Sequence, residues 1–289
     1  MQEAPPSHPR PVERWLPGDG IQVHALDWGG PEDGPLVLFL HGIGGNAWIW
    51  DDVAPRLRVA LQDHHLVAID QRDGGETDHP PTGYGLERFV ADLVAVHDAL
   101  GGRPMTLVGH SRGGWLAAAF ADAHPDRLEC LVLVDPARLV FASASDAATF
   151  YGWVQDGLGP FDDEASAVAA ARANDPEAAW TPVRIRSFLA GLMGGPDGRL
   201  VGRLPIAVLP ELQAARASGV AVTEGLARLA LPVLLLIATR QSAARIADKL
   251  AYAERIPGAR VVRLPGTHFL HTDCPVEVAA EIASFVRAG

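Results

Sequence analysis

Short hydrophobic runs recur along the chain, and most of them lack the alternation with polar residues that marks a half-buried strand. They are residues 35–40 (PLVLFL), 65–70 (HLVAID), 105–109 (MTLVG), 130–135 (CLVLVD), 232–237 (PVLLLI) and 260–264 (RVVRL). Strands buried on both faces have this pattern, as in a parallel sheet that helices cover on each side. Residues 21–28 (IQVHALDW) alternate instead, which predicts an edge strand.

Segments with helical periodicity separate these runs, at residues 47–60, 86–100, 112–123, 243–256 and 276–287. The alternation of strand and helix predicts an α/β fold with a doubly wound, mostly parallel sheet. Residues 137–228 break this rhythm, because they contain alanine-rich helical stretches and no convincing core strand. That interval is too long for a loop. We expect a helical cap inserted into a core domain that comprises residues 1–136 and 229–289.

The composition is that of an ordinary globular protein, with 48% hydrophobic and 20% charged residues. A formal net charge of −11 argues against a non-specific nucleic-acid surface. No stretch approaches the roughly 18 to 20 apolar residues of a membrane span, and the polar N-terminus does not resemble a signal peptide. We expect a cytoplasmic protein with a small-molecule substrate and no nucleic-acid or membrane partner, as a monomer or homodimer.

The strongest chemical signal is Gly-His-Ser-Arg-Gly at residues 109–113, between a predicted strand and a predicted helix. A G-x-S-x-G sequence in this context is a nucleophile elbow, whose tight turn needs small neighbours and projects the hydroxyl of Ser111 above the sheet. The helix begins at once, so the N–H of Arg112 faces any oxyanion that develops beside the serine.

With this motif the chain resembles the α/β-hydrolase superfamily over nearly its whole length. Residues 39–48 (FLHGIGGNAW) are similar to the family's His-Gly segment after the third strand. The resemblance implies that the backbone N–H of Ile43 completes an oxyanion hole with that of Arg112. Gly42 and its glycine neighbours allow the backbone to come close to a ligand.

A second segment, residues 68–78 (AIDQRDGGETD), resembles the turn that follows strand four in the family. It departs from the family pattern at Asp73, where glycine is usual, and at Thr77, where serine is usual. We expect Asp70 and Arg72 to form a structural pair near the end of the sheet, without a catalytic role.

The resemblance also identifies a base. The family's histidine follows the last strand, which marks His268 in residues 261–275 (VVRLPGTHFLHTDCP), with His271 as the nearest rival. A serine hydroxyl is a poor nucleophile unless a base removes its proton during attack. The base works better when a carboxylate fixes its tautomer and stabilises the imidazolium. An acid is therefore expected as the third member.

The usual position of that acid, the turn after strand seven of the family, reads Ala-Thr-Arg-Gln-Ser at residues 238–242. Gln241 has no charge to stabilise an imidazolium, and we expect Asp248, further along the next helix, to point elsewhere. The superfamily's other position is the end of strand six, where this chain has Asp135. Many relatives carry an aspartate there without using it, but the missing acid after strand seven favours Asp135.

This placement is similar to that in one subgroup of haloalkane dehalogenases, in zearalenone-type lactonases and in cofactor-free quinolone dioxygenases. Aromatic and apolar residues in the insertion predict a mostly apolar pocket over the serine. We expect Trp153 and Phe188 from the insertion, and Trp48 and Trp115 from the core, to contribute to it, although such residues are more often buried in a core.

Three functions are compatible with these residues. The favoured one is a serine hydrolase that cleaves an ester, lactone or related carbonyl bond through a Ser111–His268–Asp135 triad and an acyl-enzyme, with no metal or organic cofactor. The alternative is a cofactor-free dioxygenase whose His268–Asp135 pair deprotonates a hydroxy-heteroaromatic. A non-catalytic receptor on the same fold is a third. An epoxide hydrolase or dehalogenase is disfavoured, because those enzymes have a carboxylate nucleophile at the position of Ser111.

Overall fold

The computed structural model describes residues 10–136, 144–215 and 219–288, and ten strands lie in this part of the chain. In chain order they are β1 (Val12–Pro17), β2 (Gln22–Asp27), β3 (Leu36–Leu40), β4 (His65–Ile69), β5 (Met105–His110), β6 (Leu128–Val134), β7 (Leu192–Gly194), β8 (Leu200–Gly202), β9 (Val233–Ala238) and β10 (Arg260–Leu264). Eight of them form one sheet in the order β1-β2-β4-β3-β5-β6-β9-β10. The β1–β2 and β2–β4 pairs are antiparallel and the others are parallel. The predicted mostly parallel sheet is confirmed.

The central strands are buried on both faces, which explains why their sequences do not alternate. Every residue of β3, β4, β5 and β9 is buried. Leu38 belongs to one hydrophobic cluster, whereas Val37 and Phe39 belong to another, because successive side chains of a strand point to opposite faces. β1, a mostly exposed edge strand that ends at Pro17, was missed in the sequence because it has no apolar run.

Helices supply the layers that cover the sheet. In chain order the α-helices of the described residues are α1 (Ala54–Ala60), α2 (Leu86–Ala99), α3 (Arg112–Ala123), α4 (Ala144–Asp156), α5 (Glu164–Asn174), α6 (Pro182–Ala190), α7 (Leu209–Ala215), α8 (Gly219–Leu226), α9 (Ala243–Ala253), α10 (Leu270–Asp273) and α11 (Pro275–Val286). The predicted helix over 47–60 is divided into a short 3-10 turn, Ala47–Trp50, and α1. Pro55 explains the division, because a proline is tolerated in the first turn of a helix but not further inside.

Between β6 and β9 the described residues form α4 to α8 and the small β7–β8 hairpin, and none of these elements joins the main sheet. The hairpin was not predicted, because strands of three residues are too short to show a period. Residues 137–143 and 216–218 of the predicted insertion lie outside the described part of the chain. The boundaries of the core and cap domains stay a prediction.

The carboxyl ends of the parallel strands meet at one edge of the sheet. Ser111 directly follows β5, Asp135 directly follows β6, and His268 lies in the loop between β10 and α10. Ligands of open α/β sheets bind at this edge. Among the described helices, none has the length and hydropathy that crossing a membrane requires.

Candidate active site

Ser111 occupies a strained turn between β5 and α3. Its backbone has φ +53° and ψ −117°, a conformation that residues other than glycine rarely adopt. A Cβ atom on Gly109 would collide with the backbone of Gly113, and one on Gly113 would collide with the carbonyl of His41. The two glycines of the motif are therefore required by the close approach of backbone segments, which is the reason the sequence suggested.

The structure brings the three predicted residues together in one hydrogen-bonded chain. His268 Nε2 lies 2.8 Å from Ser111 Oγ, and His268 Nδ1 lies 2.5 Å from Asp135 Oδ2. If Nδ1–H donates to the carboxylate, Nε2 is free to accept the hydroxyl proton of the serine. The side chain of His268 is 32% exposed, whereas that of Asp135 is fully buried. The histidine can therefore be reached from outside while its carboxylate partner is shielded from water.

His271 is placed differently. Its ring packs at a tilt against that of His110 at 4.2 Å and that of Trp50 at 5.1 Å, measured between ring centroids. Neither ring nitrogen has a hydrogen-bond partner among the described residues. Complete burial lowers the pKa of His271 from 6.5 to about 3, so the ring is neutral and packed in the core.

The carboxylate of Asp135 is held by more than the histidine. Oδ1 accepts hydrogen bonds from the backbone N–H of Ala238 at 2.9 Å and from Gln241 Nε2 at 3.2 Å. Oδ2 also forms an ion pair with Lys249 Nζ. Burial acts to raise the pKa of Asp135, but the hydrogen bond and charge of His268 and the charge of Lys249 outweigh it and hold this pKa below its ordinary value. The carboxylate is ionised at neutral pH.

Gln241 and Lys249 both contact Asp135 and also contact each other. Lys249 Nζ donates to Gln241 Oε1 at 3.3 Å, so each of the two side chains contacts both Asp135 and the other. Gln241 lies in the turn where the family's usual acid is missing, and here it binds the acid that strand six supplies. Lys249 was not predicted as part of the site, although it is the only lysine in the sequence, which is a signal that could have singled it out.

The predicted oxyanion loop runs close beside the elbow. A Cβ atom on Gly42 would lie 3.3 Å from Ser111 Cβ, so this backbone passes next to the serine. Ile43 follows Gly42, and Arg112 is the first residue of α3. Neither of their backbone N–H groups has a hydrogen-bond partner within the described ranges. Two free donors beside a serine hydroxyl are what an oxyanion hole requires.

His41 fixes the start of this loop. Its Nε2 accepts the N–H of Gln71 at 2.8 Å, which leaves Nδ1–H to donate to the carbonyl of Gly42 at 2.6 Å. The side-chain amide of Gln71 donates to the carbonyl of His41 at 2.6 Å. Burial lowers the pKa of His41, so the ring is neutral and keeps this one tautomer.

Asp73, which stands where glycine is usual in the family, pairs with Arg112 of the nucleophile elbow. The buried carboxylate of Asp73 forms an ion pair with the guanidinium of Arg112 and accepts the N–H of Gly44 at 3.2 Å. The same guanidinium lies over the Phe89 ring, 4.5 Å from its centroid. Asp73 therefore ties the oxyanion loop to the first residue of α3.

The expected pair between Asp70 and Arg72 is wrong. Arg72 instead donates to both carboxylate oxygens of Asp92 on α2, each at 2.7 Å. Asp70 accepts from the His24 ring at 2.7 Å and from the N–H of Ala47 at 2.6 Å. The two side chains point to different elements, and each stabilises the fold with another partner.

A cavity of about 180 Å³ lies beside the elbow, between the oxyanion loop and helices α4, α5 and α6. Neighbours of the two reactive side chains, His110 and Phe269, form part of its wall. Trp153 and Phe188 line it, as the sequence predicts, but Trp48 and Trp115 are not among the described residues of its lining. Trp115 lies on α3 and is buried in the core, and the Trp48 ring packs against the guanidinium of Arg186.

The lining is mostly apolar with one buried cation. Arg184 on α6 is 5% exposed, and its Nη2 donates to Asp175 Oδ2 at 2.6 Å. Its guanidinium lies 3.7 Å from the centroid of the Phe269 ring and 4.5 Å from that of Trp180. No group of three histidine, cysteine or acidic side chains in the described ranges is arranged to hold a metal ion.

Comparisons with known proteins agree with this architecture. The family model described as alpha/beta hydrolase fold matches residues 35–273. A non-heme chloroperoxidase of Streptomyces lividans is 34% identical over 158 residues, which is 54% of each chain. A 2-(acetamidomethylene)succinate hydrolase of Mesorhizobium japonicum is 30% identical over 155 residues, 53% of this chain and 54% of that one. The matched regions thus span about half the length of these curated relatives.

Solved structures match over nearly the whole chain. A crystal structure of E-2-(acetamidomethylene)succinate hydrolase has a TM-score of 0.79 at 24% identity and covers 96% of this chain and 99% of its own. A thioesterase domain from the curacin biosynthetic pathway has a TM-score of 0.77 at 24% identity, covering 96% of this chain and 100% of its own. At this level of identity the likeness concerns the fold alone.

Proposed function

The chain belongs to the α/β-hydrolase family, and from this premise we propose that it is a serine hydrolase that cleaves an ester, lactone or related carbonyl bond of a small, mostly apolar molecule. The observation that carries the proposal is the continuous hydrogen-bonded chain from Ser111 Oγ through His268 to the ionised Asp135. A nucleophile in contact with a base, which a third group orients, is the arrangement of nucleophilic catalysis.

In the proposed reaction Ser111 Oγ attacks the substrate carbonyl while His268 Nε2 takes the hydroxyl proton. The backbone N–H groups of Ile43 and Arg112 stabilise the oxyanion of the tetrahedral intermediate. When the intermediate collapses, His268 returns the proton to the leaving alcohol and an acyl-enzyme remains. A water molecule then loses a proton to His268 and attacks the acyl carbon, and the serine regains its proton as the acid product leaves.

Asp135 has two tasks in this cycle. Its Oδ2 holds the His268 ring in the tautomer that leaves Nε2 free, and its negative charge stabilises the imidazolium that forms in each half-reaction. The hydrogen bonds from Ala238 and Gln241 to Oδ1 fix the plane of the carboxylate. The acid after strand six thus takes the role that the family's acid after strand seven has in other members.

The names of the relatives support hydrolysis without selecting a bond. Three of them are named a putative carbamate hydrolase, an epoxide hydrolase and a 2-(acetamidomethylene)succinate hydrolase, whereas the chloroperoxidase is not named for a hydrolysis. The mostly apolar wall of the cavity, with Trp153, Leu158 and Phe188, supports a substrate with an apolar body.

Labelling with a fluorophosphonate probe tests the proposal, because such probes react with activated serines. We expect labelling of the wild type, none of Ser111→Ala, and labelling of Asp135→Asn slowed by at least about 100-fold, as expected for loss of the charge that stabilises the imidazolium. Asp248→Asn is the matched control, because Asp248 is an exposed acid of α9 outside the hydrogen-bonded chain.

An unlabelled wild type, together with no turnover of p-nitrophenyl esters, would overturn the hydrolase proposal. Full labelling and ester turnover in Asp135→Asn would remove Asp135 from the triad. Oxygen uptake with a hydroxyquinolone that persists in Ser111→Ala would instead favour the cofactor-free dioxygenase.

A further inference from the structure

Arg184 brings a positive charge into a cavity whose other walls are mostly apolar. Among the described residues of the lining it is the only lysine or arginine. His41, His110 and His271 also line the cavity, but burial lowers the pKa of each, so they are neutral at pH 7. A charged side chain that is 5% exposed needs compensation by acceptors, because burial removes its hydration.

The protein supplies only part of this compensation. A guanidinium carries five N–H donors. Arg184 Nη2 donates to Asp175 Oδ2, but Nη1 has no hydrogen-bond partner among the described residues. Buried donors are normally paired, so an unpaired one requires an explanation. Arg184 thus lies in the cavity wall with one of its two terminal nitrogens unpaired among the described residues.

The position of the guanidinium is fixed relative to the reactive residues. It stacks on Phe269, the residue after His268, and on Trp180. Contacts with two aromatic rings hold the guanidinium plane in place without using its N–H donors. Arg184 lines the same cavity as His110 and Phe269, the neighbours of Ser111 and His268, so a substrate bound there can present a second group to Arg184.

We propose that Arg184 is a binding site for a carboxylate of the substrate, so that the substrate is an ester or lactone with an apolar body and one anionic end. A carboxylate matches the planar fork of a guanidinium, and Arg184 then holds two carboxylates, that of Asp175 and that of the substrate. This inference rests on the proposed hydrolase function.

The test compares two esters of similar length, mono-p-nitrophenyl glutarate, which carries a carboxylate, and p-nitrophenyl hexanoate, which does not. We expect wild-type kcat/KM to be at least tenfold higher for the glutarate ester. In Arg184→Met the ratio of the two kcat/KM values falls at least tenfold, chiefly through KM for the glutarate ester. Arg186→Met is the matched control: Arg186 lies two residues further along α6, is exposed and lies outside the lining, and we expect no change in the ratio.

Equal kcat/KM values for the two esters in the wild type would overturn this inference, and so would an unchanged ratio in Arg184→Met. If Arg184→Met does not fold, the wild type still decides: free glutarate must inhibit hydrolysis of the hexanoate ester competitively, and more strongly than glutaramide, its neutral diamide, at equal concentration. Failure of the proposed function is distinguishable, because it appears as no hydrolysis of either ester and no fluorophosphonate labelling.

Discussion

At the scale of single residues, Lys249 is the position where the structure adds most to the sequence. The chain has a single lysine, and it is buried against Asp135. All its other permanently charged basic side chains are arginines. A compact ammonium can share one carboxylate oxygen with the imidazole of His268, whereas a planar guanidinium is larger and prefers to bind two oxygens at once. Lys249 therefore stabilises the ionised acid at the same carboxylate oxygen that binds His268.

Replacing Lys249 by methionine removes a positive charge near the imidazolium that forms during catalysis. Like charges disfavour each other's charged forms. We expect the acid limb of kcat/KM against pH to move to higher pH in Lys249→Met, by about 0.5 to 1 unit. Lys249→Arg keeps the charge and serves as the control, with an acid limb close to that of the wild type. A limb that shifts equally in both variants, or moves to lower pH in Lys249→Met, would contradict this account.

At the scale of elements, the ion pair between Asp73 and Arg112 joins the oxyanion loop to α3. Both side chains are buried, and Nε and Nη1 of Arg112 have no hydrogen-bond partner among the described residues. The pair therefore depends on one counter-charge. Removing one partner of a buried ion pair leaves an uncompensated charge, whereas replacing both partners by uncharged groups is often nearly neutral.

Asp73→Asn keeps the shape of the side chain and an oxygen acceptor for Gly44, but removes the counter-charge of Arg112. We expect the free energy of unfolding to fall by about 3 kcal/mol or more, as measured by urea denaturation. In the double variant Asp73→Asn/Arg112→Met most of this loss is recovered, because no buried charge remains. A double variant as unstable as the single one would show that the ion pair is not the source of the effect.

The elements and the site differ in how much of each the sequence could predict. The buried strands, α2, α3 and the elbow have local signals, so their positions follow from the sequence within a few residues. The contacts of Asp73 with Arg112 and of Asp135 with Lys249 join residues that are 39 and 114 positions apart. No period or motif encodes such contacts. Trp48 and Trp115 show the same limit, because hydrophobicity does not tell a cavity wall from a core.

At the scale of the whole molecule, neutral buried histidines couple stability to pH. Burial lowers the pKa of His41, His110 and His271. The pKa of His24 shifts the other way: burial opposes its protonation, but the hydrogen bond and charge of Asp70 outweigh burial and raise it. The contribution of His24 is therefore fully present below pH 6.5 and is lost only as the pH rises through its raised pKa. His41, His110 and His271, whose pKa values are lowered, instead make the free energy of unfolding fall as the pH falls below 6.5.

His271 has a pKa of about 3 in the fold and an ordinary pKa of 6.5 in the unfolded chain, and this difference decides how stability changes with pH. Between these values the unfolded state binds a proton that the folded state does not, so the free energy of unfolding falls as the pH falls. Each such histidine contributes about 1.4 kcal/mol per pH unit well below pH 6.5.

Urea denaturation at pH 7, 6, 5.5 and 5 should show wild-type stability falling at least this steeply below pH 6. His271→Phe keeps the packing against Trp50 and removes one titrating group, so its slope should be smaller by about 1.4 kcal/mol per pH unit. Parallel slopes for the two proteins would show that His271 is protonated in the fold and that the acid sensitivity arises elsewhere.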